Sequence, residues 1–458
     1  QNQMKYTCWG AAKQVTGSMH LLELESGYKI LVDCGIDYED KDNKEINAHF
    51  QFNPRDIDVL LLTHAHIDHS GNIPNLVKQG FKGEIICTEP TAFLLDKLWI
   101  DSVNIQNNNH NRRQTTRLYG FKEVKDANEQ LLTVNFNQNV SLNSEVSFAF
   151  YEAGHIIGAA SIRIEVKEED ALKTIGFTGD LGNPGSKLIV DPMPMQGLNY
   201  LVTETTYGNR EHKEKRSPED VLIEYVTKTC VDQEGRLIIP AFSVGRTQSI
   251  LFTLKKLFNE GKLPPVRVFA DSPLALASSN IHNRFSDYLN DEAKNYKLVD
   301  GSLFDFKSLY LIEDKSDVED MELYRDSCII VSSAGMLEGG RIQHHISDHI
   351  QNPSCTILIA GFCSPGTLGA QLLEGRSTIR VKGNDKYVFA KIDQTDVFSA
   401  HPDTNGLQDY FEASNDGQLT KLFFVHGEEE SMNELKILLS DNLKNKVTIP
   451  SRGETFLL

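Results

Sequence analysis

Two hydrophobic periodicities alternate along this chain. Short apolar runs closed by glycine or acidic residues recur in its first half and read as strands: residues 4–35 around 17–21 and 29–35, then 57–62, 84–87, 146–151, 173–182 and 198–208. Helical spacing appears at about 71–79 and 90–118. From residue 209 to about 386 the texture changes. Helices from 218 to about 231, 245 to about 259 and 340 to about 350 alternate with apolar strands at 236–240, 266–270, 327–333 and 355–360. Regular alternation of that kind predicts an α/β region with a parallel, doubly wound sheet. Beyond 387 the first texture returns, with a helix start after 401–403 and a buried strand over 422–428.

Length fits this division. At 458 residues the chain exceeds one ordinary core, so two or three domains are expected, with breaks near 208 and 386. An apolar content of 40% with 24% charged residues is that of a globular protein in water. No apolar run approaches the roughly 18 residues of a membrane span, and no basic-then-apolar leader opens the chain. Seven cysteines without a C-x-x-C pair argue for a reducing compartment and for packing roles. A cytoplasmic location and no membrane partner are therefore expected. The net charge of −18 counts against indiscriminate nucleic-acid binding, but it does not constrain local chemistry. The small basic cluster at 111–117 reads first as a solvated face.

Candidate chemistry concentrates in Thr63-His64-Ala65-His66-Ile67-Asp68-His69, on the loop leaving the 57–62 strand. His64 and His66 are two apart and can point the same way; Asp68 and His69 follow at the turn. A polar loop with satisfied histidines is the plain alternative. Packing so many imidazoles beside a carboxylate costs too much without a cation, so metal binding is favoured. The spacing implies two metals, and nitrogen ligands with a carboxylate suit zinc better than calcium or magnesium.

Other polar residues stand at strand ends. His155 lies between Gly154 and Gly158, which lets backbone pass close to whatever the imidazole binds. Asp180 is bracketed by Gly179 and Gly182, and its two oxygens could bridge cations roughly 3.5–4 Å apart. Asp33 before Gly35 is by itself a good turn former. Glu204 ends the 198–208 strand, while His401 and His426 are each equally a capped loop residue or a ligand. In the alternating region, Arg246, Ser333 and Gly335 belong to small loops of the kind that bind anions, although turns and caps explain them as well.

Taken together, H-x-H-x-D-H at 64–69, a doubly wound insert after Glu204, then Ser399-Ala400-His401 and Val425-His426-Gly427-Glu428 resemble the β-CASP branch of the metallo-β-lactamase superfamily. That branch includes the endonuclease subunit of the cleavage-and-polyadenylation machinery and RNase J, and the resemblance covers essentially the whole chain. It implies a metallo-β-lactamase αββα sandwich formed by 1–208 and 387–458, with 209–386 as the inserted β-CASP domain. It also implies two Zn2+ held by His64, His66, Asp68, His69, His155, Asp180 and His426, with Asp180 bridging. Asp33 orients the site from behind. His401 becomes the general acid and Glu204 its partner, so that Asp33, Asp68, Glu204 and His401 form the catalytic set. Arg246, Ser333 and Gly335 become phosphate contacts.

The activity implied is zinc-dependent hydrolysis of RNA phosphodiesters by a hydroxide bridging the metals, leaving 5′-phosphate and 3′-hydroxyl ends. The mode is endonucleolytic, 5′-3′ exonucleolytic or both. Histidine at 426, where DNA-acting members tend to have valine, points to single-stranded RNA as the partner; homodimerisation stays open. The rivals are a thioesterase or tRNA-processing relative, a non-catalytic scaffold homologue and a DNA-processing nuclease. The first lack such an insert, the second lose ligands, and the third is disfavoured by His426.

Overall fold

In a computed structural model the chain is described over residues 3–39, 45–113, 116–168 and 171–458, the side chains of Arg112 and Arg113 excepted. Gln114 and Thr115 of the basic cluster thus lie outside the described residues. The chain forms two compact units, one of 1–211 with 401–458 and one of 212–400. Among the described residues no helix is long and apolar enough to cross a membrane.

The first unit is built on two seven-stranded sheets. One has the order 454–457, 5–8, 20–23, 29–32, 59–61, 84–87, 131–133; the other has 447–448, 421–424, 200–203, 171–177, 160–168, 146–152, 140–141. Strand alternation sends Tyr6, Leu22, Ile30, Val32, Leu61 and Ile86 from the first sheet, and Phe148, Ile162, Ile164, Phe177 and Phe423 from the second, into one shared core. Leu31, Leu60 and Ile85, on the opposite side of their strands, are buried as well, so both faces of the first sheet are covered. On the outer face of the second sheet, Leu201, Leu422 and Phe424 pack with Leu407 and Phe411 of helix Thr404–Ser414 and with Met432 and Leu435 of helix Glu429–Leu438. The result is the expected αββα sandwich.

Both sheets are completed by chain from beyond the second unit. Lys421–Phe424 joins Tyr200–Thr203 in parallel, and Glu454–Leu457 joins Lys5–Cys8 antiparallel.

The second unit carries a six-stranded, wholly parallel sheet in the order 309–311, 267–271, 328–332, 236–240, 356–359, 391–394. Two of its boundaries differ from those expected. The unit runs to Ala400 rather than to 386, because Lys391–Gln394 adds a strand beside Thr356–Ile359. The helix expected over 218–231 runs as Pro218–Val226 and continues in a wider-wound turn over Thr227–Asp232. In the first unit the helix expected to reach 118 is described over Glu89–Arg113; residues 116–120 are not helical, and a separate helix follows at Phe121–Glu129. The Glu123 carboxylate starts that second helix by accepting from the Gly120 N–H at 2.8 Å.

Candidate metal centre

The parallel strands of the first unit end side by side, and each delivers a polar residue to that end. Lys29–Val32 leads to Asp33, Val59–Leu61 to His64 and His66, Ala171–Phe177 to Asp180, Tyr200–Thr203 to Glu204, and Lys421–Phe424 to His426. A single helical turn, Ile67–Ser70, presents Asp68 and His69. Gly179 is required here: it has φ +56°, and a Cβ on it would lie 2.6 Å from Thr63.

Two groups of potential ligands result, His64 with His66, His155 and Asp180, and Asp68 with His69, His426 and Asp180. In each group one donor atom per residue lies within 4.8 Å of the others. Asp180 belongs to both. Its Oδ2 lies 3.6 Å from His64 Nε2 and 3.6 Å from His155 Nε2, whereas its Oδ1 lies 3.1 Å from His69 Nε2 and 3.4 Å from His426 Nε2. Asp68 Oδ2 stands 3.4 Å from His426 Nε2. Within the first group His155 Nε2 is 3.1 Å from His66 Nδ1; within the second, His69 and His426 bring their Nε2 atoms to 3.2 Å.

Neutral packing does not account for this. His64 is fully buried, and its Nε2 has no hydrogen-bond partner among the described residues. Burial, helped by neighbouring His69, holds His64 well below the usual imidazole range, so its lone pair is available. Burial opposes ionisation of Asp180, yet His426 and His69 outweigh it and keep the carboxyl well below its usual range. Carboxylates and imidazole nitrogens that converge in this way on common points form a donor set suited to a metal cofactor.

A second layer of contacts fixes the ring orientations. Asp33 belongs to neither donor group and acts on them from behind. Its carboxylate accepts from Thr63 N and Thr63 Oγ1, both at 2.8 Å, and pairs with His69 Nδ1 at 2.7 Å. Thr63 Oγ1 also lies 3.1 Å from His64 Nδ1, and Thr206 Oγ1 lies 3.0 Å from His426 Nδ1. Such partners set the tautomer that leaves Nε2 for a metal. Neither threonine was anticipated, although each is within two residues of a site residue. Also unanticipated is His20, buried against Tyr6 Oη at 3.0 Å and pushed down to about 3 by burial. It lines a cavity of about 10 Å³, room for one water, with Ser18, Asp33, His69 and Glu204.

His401, just before helix Thr404–Ser414, lies beside the donor groups. Its ring is 4.6 Å from that of His155 and 6.3 Å from that of His426. Its Nδ1 meets both oxygens of buried Glu204, at 3.0 and 3.1 Å. Burial alone would lower its pKa, but Glu204 outweighs that and raises it. Tyr207 packs edge-on against the same ring at 5.6 Å.

Arg246, Ser333 and Gly335 belong to the second unit, on the loops that follow its parallel strands. Ser333 Oγ donates to Ser272 Oγ at 2.9 Å, Gly335 packs over Phe242, and the Arg246 guanidinium lies over the Phe242 ring at 5.4 Å. The three therefore share one sheet end, the usual place for ligands in open α/β sheets.

Glu152, which closes strand Val146–Glu152, carries a separate stability prediction. Burial lifts its carboxyl from 4.5 to about 8, partly offset by the Gly154 N–H at 2.9 Å. A folded-state value above the unfolded one means that stability is lost as pH rises from about 4.5 to 8, at roughly 1.4 kcal/mol per pH unit. Glu152→Gln is expected to raise the thermal midpoint at pH 8 and to change it little at pH 5. Equal midpoints for variant and parent at both pH values would contradict a buried, protonated Glu152.

Comparison with known proteins adds to this geometry. Residues 21–177 match a metallo-β-lactamase superfamily domain, 247–372 a Beta-Casp domain, and 388–450 a Zn-dependent metallo-hydrolase RNA specificity domain. The chain is 30% identical over 438 residues to a ribonuclease of Thermus thermophilus, covering 95% of this chain and 96% of the relative. It is 30% identical over 447 residues to an RNase J-like protein of Methanocaldococcus jannaschii, covering 97% of each. Over 433 residues it is 28% identical to cleavage and polyadenylation specificity factor 73 of Drosophila melanogaster, covering 94% of this chain and 60% of that one.

Proposed function

Because the chain belongs to the β-CASP branch of the metallo-β-lactamase superfamily, we propose that it is a metal-dependent ribonuclease that hydrolyses RNA phosphodiesters. The observation that carries the reading is Asp180, whose two oxygens face separate ligand groups. Its support on the side of substrate is the RNA specificity match at 388–450 and the ribonuclease names of the relatives.

On this reading His64, His66, His155 and Asp180 would hold one Zn2+, and Asp68, His69, His426 and Asp180 a second. The nitrogen-rich donor set favours zinc over magnesium or calcium. Bound there, such cations supply Lewis acidity, lowering the pKa of water towards ~7 and drawing charge from phosphate oxygens. The protein's own residues do the rest. Asp33 holds the His69 ring in place through Nδ1. Glu204 anchors His401 through Nδ1 and favours its charged form, so His401 acts as general acid and protonates the departing 3′ oxygen. Cleavage then leaves 5′-phosphate and 3′-hydroxyl ends. Arg246, Ser333 and the Gly335 backbone bind substrate phosphates in the second unit.

Labelled single-stranded RNA and DNA incubated side by side, with and without a chelator, test this reading. RNA is expected to be cut, DNA to be cut far more slowly, and chelation to stop cleavage until zinc is restored. Chelator-insensitive cleavage, or equal cleavage of both strands, would overturn it.

A further inference from the structure

In the second unit a short antiparallel hairpin pairs Thr378–Val381 with Asn384–Tyr387. Alternation sends Ile379 and Val381 into the core and leaves Thr378, Arg380, Asp385 and Tyr387 on the outer face. Phe389 continues that face. Tyr387 is 61% exposed and Phe389 57% exposed, and their rings lie parallel, 12° apart in plane with centroids at 5.8 Å. The backbone beneath them is tied down: Tyr387 N donates to Gln351 Oε1 at 3.2 Å and Phe389 N to Ile350 O at 3.0 Å. Two parallel rings held side by side at the surface present one flat apolar face, of a shape that a flat partner would cover.

Charge narrows the class of partner. Residues 374–391 hold five basic side chains against two acidic ones in a chain of net charge −18; Arg376 pairs with Glu374 and Lys391 with Asp393, which leaves Arg380, Lys382 and Lys386 as the basic excess. On the outer face Arg380 lies directly opposite Asp385 and Thr378 directly opposite Tyr387, so Arg380 is the diagonal neighbour of Tyr387. A second copy docked by a twofold axis would set this basic patch against itself. We propose that the outer face of this hairpin is a platform for single-stranded RNA, with bases stacking on Tyr387 and Phe389 and Arg380 contacting phosphate. The assignment rests on the ribonuclease reading above and adds a second place where the strand is held. Stacking of this kind tolerates any sequence, because every base presents a π-face.

The test uses the intact, metal-loaded chain with a Tyr387→Leu/Phe389→Leu double variant, which keeps apolar bulk but removes the flat rings. Binding of a ~30-nucleotide single-stranded RNA is expected to weaken roughly tenfold, while turnover of a saturating ~6-nucleotide RNA stays unchanged. Arg380→Glu is expected to weaken binding of the long RNA and to lower the slope of its salt dependence by about one. If the parent cleaves RNA but the double variant binds the long strand within twofold of it, the platform is wrong and the ribonuclease reading stands. A double variant that turns a dimer into a monomer would assign the face to contact between copies instead. A parent inert towards every RNA would remove the ribonuclease reading itself.

Discussion

Asp180→Ala is expected to fold normally, to lose bound metal and to lose RNA hydrolysis by at least roughly 10³-fold, the equivalent of about 4 kcal/mol of transition-state stabilisation. The reason is geometric. One carboxylate faces His64 and His155 through Oδ2 and His69 and His426 through Oδ1, so its removal takes an anionic donor from both groups at once. It also leaves four buried imidazoles and the half-buried His66 with less negative charge among them, which weakens the hold on any cation there. Metal content per chain by elemental analysis, beside single-turnover rates, checks this. An alanine variant with the metal content of the parent would reject the bridging role.

The second large effect separates metal binding from proton transfer. His401→Ala is expected to retain the full metal content but to lose about 10²- to 10⁴-fold in rate, the usual contribution of a general acid. His401 stands beside the donor groups without belonging to either, and Glu204 engages its Nδ1. The pH dependence carries the sign. Glu204 raises the pKa of His401, so the protonated form persists to higher pH, and the rate falls as pH climbs through that value. Glu204→Gln is expected to move this alkaline limb to lower pH, whereas a purely structural Glu204 would lower the rate equally at every pH. Cleavage by His401→Ala within about threefold of the parent would end the general-acid assignment.

What could be read from the chain beforehand follows from how local each signal is. The His64 loop packs its donors into one short stretch, so spacing alone exposes it. Asp33, Asp180, Glu204 and His426 are legible as polar residues closing apolar strands. Thr63 and Thr206 are not, because a threonine is ordinary until its hydroxyl is seen 3.1 Å from His64 or 3.0 Å from His426. The boundary near 386 moved to 400 for a related reason. Lys391–Gln394 is an edge strand of mixed, half-exposed residues and lacks the apolar run of its interior neighbours. Strand Ala160–Glu168 was also overlooked, although Ile162, Ile164 and Val166 alternate along it; the surrounding glycines and charges masked the period.

The return of the chain to its first unit has a consequence for synthesis. His401 and His426 emerge from a ribosome only after the whole of 212–400 has been made. Until then Asp68 and His69 have no His426 beside them, and Glu204 has no imidazole to hold. A nascent or prematurely terminated chain therefore has only part of the second ligand group and lacks the imidazole that Glu204 engages.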